Sequence, residues 1–352
     1  KNVIAVKVDN SQQPNSRWYS GSGIYRNVWI TTLSTSHIDH WGTFVTTPNI
    51  GQNEATVSVK TNLILDGKTK PVLTTTLYDA VGKRVASSTV SATSETEQTL
   101  TVRNPQLWSV DRPYLYKAVS QLKSGNTILD TYETIVGIRS FSFDREKGFF
   151  LNGKPLKILG VCQHHDLGAL GAAINKRALE RQLEILKAMG CNGIRTAHNP
   201  PAPELLELCD RMGFIVMDEA FDMWAKSKNK FDYHRDWEQW HKRDLEDLVR
   251  RDRNHPSVFL WSVGNEIGEQ WGDAQKGDTA GRAISRELVR IVQSLDTTRP
   301  ITTANNEVNP WNNLIQSGAF DLIGYNYNHR KWGSFLKDHP GKKLIVTEST
   351  SA

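Results

Sequence analysis

The sequence predicts a multidomain protein of β plus α/β class: an immunoglobulin-like β-sandwich followed by a (β/α)8 barrel that lacks its last βα unit. Three observations carry this reading. Before residue 140, short apolar runs rich in Val, Thr and Leu alternate with polar breaks, at the spacing of an antiparallel sandwich. After residue 146, strand-like apolar runs alternate with helical patterns, which implies a parallel sheet with right-handed crossovers. Polar residues end nearly every one of those later strands. That pattern favours a barrel over a doubly wound sheet, because barrel active sites gather on the C-terminal face of the strands.

Residues 1–30 open with a strand pattern, Val3-Ile4-Ala5-Val6-Lys7-Val8, and close on Ser22-Gly23-Ile24-Tyr25-Arg26-Asn27-Val28-Trp29. They read as the last strands of an earlier β domain, too few to build a core alone. The sandwich is expected over 31–140. Val57 and Val59 lead toward Leu63-Ile64-Leu65, and Asp66-Gly67 predicts a tight hairpin because Gly tolerates positive φ. No cysteine pair staples this unit, so packing alone must hold it.

The barrel is expected over 141–352. Asn152-Gly153 predicts a hairpin at its entry. Seven strands are expected at 158–161, 193–196, 214–217, 258–263, 301–304, 322–325 and 344–347. Helices are expected at 177–189, with Leu179, Leu183, Leu186 and Met189 on one face, and at 236–253 and 279–295. The chain stops at Ala352, just past the seventh strand, so an eighth unit has no residues to form it.

Composition bounds the function. The chain has 352 residues, enough for two or three domains, and 38% are hydrophobic, which excludes a disordered or collagen-like chain. Lys and Arg number 43 against 38 Asp and Glu, a surplus of +5 scattered among acids. No basic stripe marks a nucleic-acid partner, and no apolar run approaches a membrane span. The three cysteines (Cys162, Cys191, Cys209) match neither a zinc spacing nor a disulfide framework, and read as mostly buried thiols. Eleven Trp are consistent with sugar stacking but also with core filling.

Two strand ends present a carboxylate after an apolar run: Glu266, after Ser262-Val263-Gly264-Asn265, and Glu348, after Ile345-Val346-Thr347. At the ends of the fourth and seventh strands, they can face each other across one pocket. Glycoside hydrolysis needs such a pair: one acid protonates the leaving oxygen, and the other attacks or stabilises the oxocarbenium-like carbon. His164, His165 and Asp166 follow the first strand, a pattern that on its own also allows a metal.

Several motifs, in order, resemble glycoside hydrolase family 2, the group of β-galactosidases, β-glucuronidases and β-mannosidases. They are Ser22-Gly23-Ile24-Tyr25-Arg26, Asn104-Pro105-Gln106-Leu107-Trp108-Ser109, Gly148-Phe149-Phe150-Leu151-Asn152-Gly153, Ile194-Arg195-Thr196-Ala197-His198-Asn199-Pro200, Asp218-Glu219-Ala220-Phe221-Asp222 and Arg251-Asp252-Arg253-Asn254-His255-Pro256-Ser257. The resemblance covers essentially the whole chain. It implies that residues 1–30 are the tail of a jelly-roll sugar-binding domain and that the barrel is a TIM barrel.

The resemblance implies Glu266 as acid/base and Glu348 as nucleophile of a retaining double displacement, with carboxyl groups about 5–5.5 Å apart. Arg195 would hold the nucleophile, Asn265 would donate to the sugar 2-hydroxyl, and Tyr327 would lie beside the nucleophile. His165, Asp166 and His198 would contact sugar rather than metal. Asp218 and Glu219 would form a buried charge network around Arg195, and His255 would support a turn.

The chain departs from the family in two places. Some bacterial β-galactosidases of the family hold magnesium through an acid and a His where this chain has Met223 and Ala225, so no metal or other cofactor is expected. Many relatives carry Asp where this chain has Arg17, which questions the first domain's share in sugar recognition. The context Thr347-Glu348-Ser349-Thr350 resembles bacterial β-galactosidases most. The expected function is therefore an exo-acting β-galactosidase, with a carbohydrate substrate, neither nucleic acid nor membrane as partner, a homo-oligomer left open, and the periplasm as the compartment the resemblance suggests. The alternatives are a β-glucuronidase of the same family, or an inactive sugar-binding fragment.

Overall fold

The computed structural model describes residues 2–272 and 277–351. Seven antiparallel strands form the sandwich: β1 (His37–Ile50), β2 (Glu54–Ile64), β3 (Val72–Tyr78), β4 (Arg84–Ser91), β5 (Glu95–Arg103), β6 (Tyr116–Ser124) and β7 (Thr127–Val136). One sheet has the order β1-β2-β5 and the other β4-β3-β6-β7. In β5 every second residue is buried, the period a half-buried strand requires. Val57, Val59, Leu77, Leu100, Val102 and Tyr116 fill the space between the sheets.

Two expectations fail in this half. Asp66-Gly67 does not join a hairpin: β2 pairs with β1 and β5, while β3 pairs with β4 and β6. The turn is real, with Gly67 at φ 73° and the Asp66 carboxylate accepting from Lys68 N at 3.0 Å. It carries the chain from one sheet to the other. Residues 2–35 contain no strand, although 3–8 have a strand's pattern. Alternation makes a strand only where a neighbour supplies the ladder, and the described residues offer none there. Val3, Ile4, Trp29 and Ile30 are accordingly exposed.

A hairpin motif of β8 (Phe141–Asp144), β9 (Gly148–Leu151) and β10 (Lys154–Pro155) precedes the barrel strands. Asn152 and Gly153 both take positive φ, 52° and 72°, as a two-residue turn of this type demands. Seven parallel strands then follow in sequential order: β11 (Gly160–Gln163), β12 (Gly193–Thr196), β13 (Ile215–Glu219), β14 (Val258–Asn265), β15 (Ile301–Asn305), β16 (Leu322–Asn326) and β17 (Lys343–Glu348). This sheet is the curled wall of a barrel, not a doubly wound sheet. β11 begins two residues later than expected, because residues 158 and 159 lead into the sheet without joining it. β12 to β16 are buried throughout, whereas β11 and β17, each with one ladder partner, are only partly so.

The long helices are α1 (Lys176–Ala188), α2 (Pro203–Met212), α3 (Trp237–Asp252) and α4 (Ala280–Leu295). Helix α2 starts on a proline, whose missing N–H is not needed there, and stops at Gly213 with φ 75°. A side chain at Gly213 would lie 2.2 Å from the Val110 carbonyl oxygen. That close approach lets Lys187 Nζ donate to both Val110 O and Gly213 O, at 2.9 and 2.8 Å.

The sandwich and hairpin pack under the N-terminal ends of the barrel strands. Trp108 is fully buried there and donates to Asp210 O at 2.8 Å. Phe149, Ile215, Phe259 and Leu322 complete the apolar seal. Arg139 donates to Pro256 O and Val258 O, and Asn254 exchanges hydrogen bonds with Val45 N and Thr43 O. The N-terminal segment instead reaches the opposite face, where Arg26 donates to Pro200 O and Pro201 O.

Candidate active site

Arg195, at the end of β12, is the hub of the C-terminal face and is buried. Its Nε and Nη2 donate to both oxygens of Glu219 at 2.9–3.1 Å. Nη2 also donates to Asn265 Oδ1 at 2.7 Å, and Nη1 to Glu348 Oε2 at 2.9 Å. Burial works against the guanidinium charge, but Glu219, the Cys162 thiol and Glu348 raise its pKa, so Arg195 is a fixed cation.

Glu219, at the end of β13, is fully buried. Burial pushes its pKa up, yet Arg195, His198 and Ser262 together hold it below the usual carboxylate range. His198 Nδ1 donates to it at 2.6 Å and Ser262 Oγ at 2.7 Å. Its partner Asp218 does not join this network. It faces Thr196 at 3.5 Å and is pushed up by burial and by Asp252. His255 lies well away, on Asp210 at 2.5 Å, as a supporting residue should.

Glu348 ends β17. It receives Arg195 Nη1 on one oxygen and the Tyr327 hydroxyl on the other. The bond to Glu348 is the main reason the Tyr327 phenol is pushed up to about 12, so it stays a donor at neutral pH. Glu266 follows β14 with φ 46°, a left-handed conformation that costs about 1 kcal/mol or more in a non-glycine residue. Tyr327 and Asn328 share that conformation at 54° and 52°. Asn326, between these groups, was not expected. Thr347 Oγ1 donates to its Oδ1 at 2.7 Å and thereby orients the amide. Its Nδ2 then faces Asn265 Oδ1 at 3.1 Å, Glu266 Oε1 at 3.0 Å and Glu348 Oε2 at 3.4 Å. One nitrogen thus reaches both carboxylates.

Five of the eight predicted residues (Glu266, Glu348, Arg195, Asn265 and Tyr327) form one hydrogen-bonded cluster, and His198 joins it through Glu219. His165 and Asp166 do not bond to it. His165 stacks on Tyr25 with ring centres 6.3 Å apart, and Asp166 accepts from Gly168 N at 3.2 Å. His164 packs on Trp18, 4.8 Å between centres. Among the described residues no group of three or more His, Cys, Asp or Glu side chains could hold a metal ion, and no helix is long and apolar enough to cross a membrane. Met223 is buried at the departure noted above.

The thiols differ from expectation: Cys209 is buried, Cys191 half-buried, and Cys162 exposed. Cys162 lies on the half-open strand β11, where Arg195 Nη1 and Thr347 O approach it at 3.4 Å. Asp222, Lys228 and Arg17 form a second charged group beside Asn265 that the sequence did not single out as a unit. Asp222 is buried, which alone would raise its pKa, but Arg17 and Lys228 bring it down to about 2.

Residues 144–348 match the model of the glycosyl hydrolase family 2 TIM barrel domain, and residues 36–139 match a second domain model of the same family. A β-galactosidase of Bacteroides ovatus is 50% identical over all of this chain and 45% of its own length. The crystal structure of a family 2 member from Bacteroides cellulosilyticus superposes with a TM-score of 0.89 at 41% identity, over 95% of this chain and 43% of that one. A Bacteroides uniformis β-glucuronidase superposes with a TM-score of 0.83 at 28% identity, over 98% of this chain and 45% of that one. The chain therefore spans less than half the length of each of these relatives.

Proposed function

The chain belongs to glycosyl hydrolase family 2, and on that premise we propose that it carries the site of a retaining exo-β-galactosidase. The observation that carries this reading is the reach of Asn326 Nδ2 to one oxygen of each carboxylate, 3.0 Å and 3.4 Å away. Those two oxygens are closer together than the roughly 6.5 Å at which inverting pairs begin, which supports a retaining pair.

The partners of each carboxylate divide the labour. Glu348 faces the Arg195 guanidinium, the charge complement of an anionic nucleophile. Glu266 accepts a side-chain hydrogen bond from the Asn326 amide at 3.0 Å and is the group assigned to the leaving oxygen. In the first step a Glu348 oxygen attacks the anomeric carbon as the bond to the leaving oxygen breaks, and the Glu266 proton passes to that oxygen. In the second, water gives its proton to Glu266 and its oxygen replaces Glu348 on the sugar. Asn265, its Oδ1 engaged by Arg195, presents Nδ2 for the sugar 2-hydroxyl. His165, Asp166 and His198 are assigned to the sugar's remaining hydroxyls. The galactose assignment is supported by the Bacteroides ovatus relative. The similarity to a β-glucuronidase favours glucuronate as the second reading.

Assay of the intact protein on nitrophenyl β-galactoside and β-glucuronide separates them, and turnover of the glucuronide alone refutes the galactose assignment. Trapping with a 2-deoxy-2-fluoro galactoside should add one sugar to the peptide holding Glu348. A label on another residue would refute the assigned nucleophile.

A further inference from the structure

We propose that Asp222, clamped by Arg17 and Lys228, is a positioning residue that fixes the amide of Asn265 for the sugar, so that the N-terminal segment forms part of the active site. The inference rests on the glycosidase reading above.

An asparagine amide has two faces, and the wrong one would present an acceptor where the sugar hydroxyl needs a donor. Two charged neighbours decide the orientation of Asn265. Arg195 Nη2 donates to its Oδ1 at 2.7 Å, and its Nδ2 donates to Asp222 Oδ1 at 2.9 Å. Turning the amide over would set Nδ2 against a guanidinium and Oδ1 against a carboxylate. One Nδ2 hydrogen is held by Asp222, and the other is left for substrate.

Asp222 can serve in this way only as a buried anion, and a buried carboxylate without partners is costly. Arg17 meets it through two atoms, Nε to Oδ2 at 3.1 Å and Nη2 to Oδ1 at 2.6 Å. Lys228 Nζ bridges Asp222 Oδ1 at 2.8 Å and the carbonyl oxygen of Asn265 itself at 2.7 Å. The lysine therefore ties the carboxylate to the residue it orients. Arg17 arrives from a segment without secondary structure of its own, which Trp18 anchors beside His164 and His198, with ring centres 4.8 and 5.4 Å away. The position that departs from the family's Asp thus still contributes a charged side chain, of the opposite sign and aimed at Asp222.

The test compares nitrophenyl β-galactoside with its 2-deoxy analogue in the intact protein. If Asp222 acts through Asn265 on the 2-hydroxyl, Asp222→Asn should lower kcat/KM on the parent glycoside by roughly 10²-fold, the scale of one lost transition-state donor. On the 2-deoxy glycoside the loss should stay within about threefold, because the hydroxyl that Asn265 serves is missing. Arg17→Met should show the same selectivity at smaller size, and Arg17→Lys should recover part of it by keeping the charge without the two-point contact. Equal losses on both substrates for both Asp222→Asn and Arg17→Met would overturn the proposal, since a structural role does not distinguish them. A wild-type protein that hydrolyses neither glycoside refutes the glycosidase reading instead. Calorimetric binding of a galactose-configured iminosugar and its 2-deoxy counterpart to the same variants then reads the ratio without turnover.

Discussion

The two ends of the barrel strands are built from opposite materials. The N-terminal ends are closed by Trp108, Phe149, Ile215 and Phe259, an apolar seal whose main polar contacts are hydrogen bonds to backbone carbonyls. The C-terminal ends gather Arg195, Glu219, Glu266, Glu348 and Asp222, with left-handed backbone at Glu266, Tyr327 and Asn328. His165, in the same region, has two ring nitrogens without a partner among the described residues. The contrast teaches where this chain keeps its stability and where it spends it. The contrast predicts that one end can be damaged without touching the chemistry, and that the other can lose its chemistry without unfolding.

Glu348→Gln is the most direct way to break that division. It should lower kcat by at least about 10⁴-fold, on the order of 5 kcal/mol, because an amide is a poor nucleophile. The melting temperature should change little. A large drop in melting temperature would mean that the two ends are not independent.

Trp108→Ala attacks the other end. Removing a fully buried indole should cost about 3–5 kcal/mol of unfolding free energy in denaturant titration. The KM and kcat of the surviving folded protein should stay within about twofold.

Asn326→Ala sharpens the comparison, because this residue touches both carboxylates yet performs no chemistry itself. Steady-state kinetics should show a loss of about 10²-fold in kcat, near 3 kcal/mol. A change confined to KM would refute its place between the two groups.

The smallest effect is His255→Gln, at the stability end. Burial lowers the His255 pKa, but Asp210 outweighs it and raises the value above the ordinary 6.5 of a histidine. The paired imidazolium therefore contributes fully below about pH 6.5, and its contribution disappears as pH rises through the higher folded value. Denaturant titrations should place the variant about 1 kcal/mol below wild type at pH 6 and should converge in alkaline buffer, with kcat unchanged.

Much of this contrast is legible in the sequence, for a physical reason. Parallel strands all end on one face, so the polar residue that follows each apolar run is brought to a shared surface whatever its distance along the chain. Glu266 and Glu348 could be placed together on that ground, and the family resemblance added Arg195, Asn265 and Tyr327. What spacing cannot show is which atoms meet. The reach of Asn326 depends on the direction that Thr347 gives its amide, and Asp222 meets Arg17, which no local pattern connects to it. The errors have the same origin. The 3–8 run and Asp66-Gly67 both have correct local chemistry, but pairing is decided by strands elsewhere.

Glu266 also bears on how such a chain can change over generations. At φ 46° a glycine or asparagine would sit with less strain, so selection that scored only persistence of the fold would remove the carboxylate there. Its retention would then depend wholly on turnover. In a lineage freed from that demand, this position should be among the first to drift, while Trp108 stays.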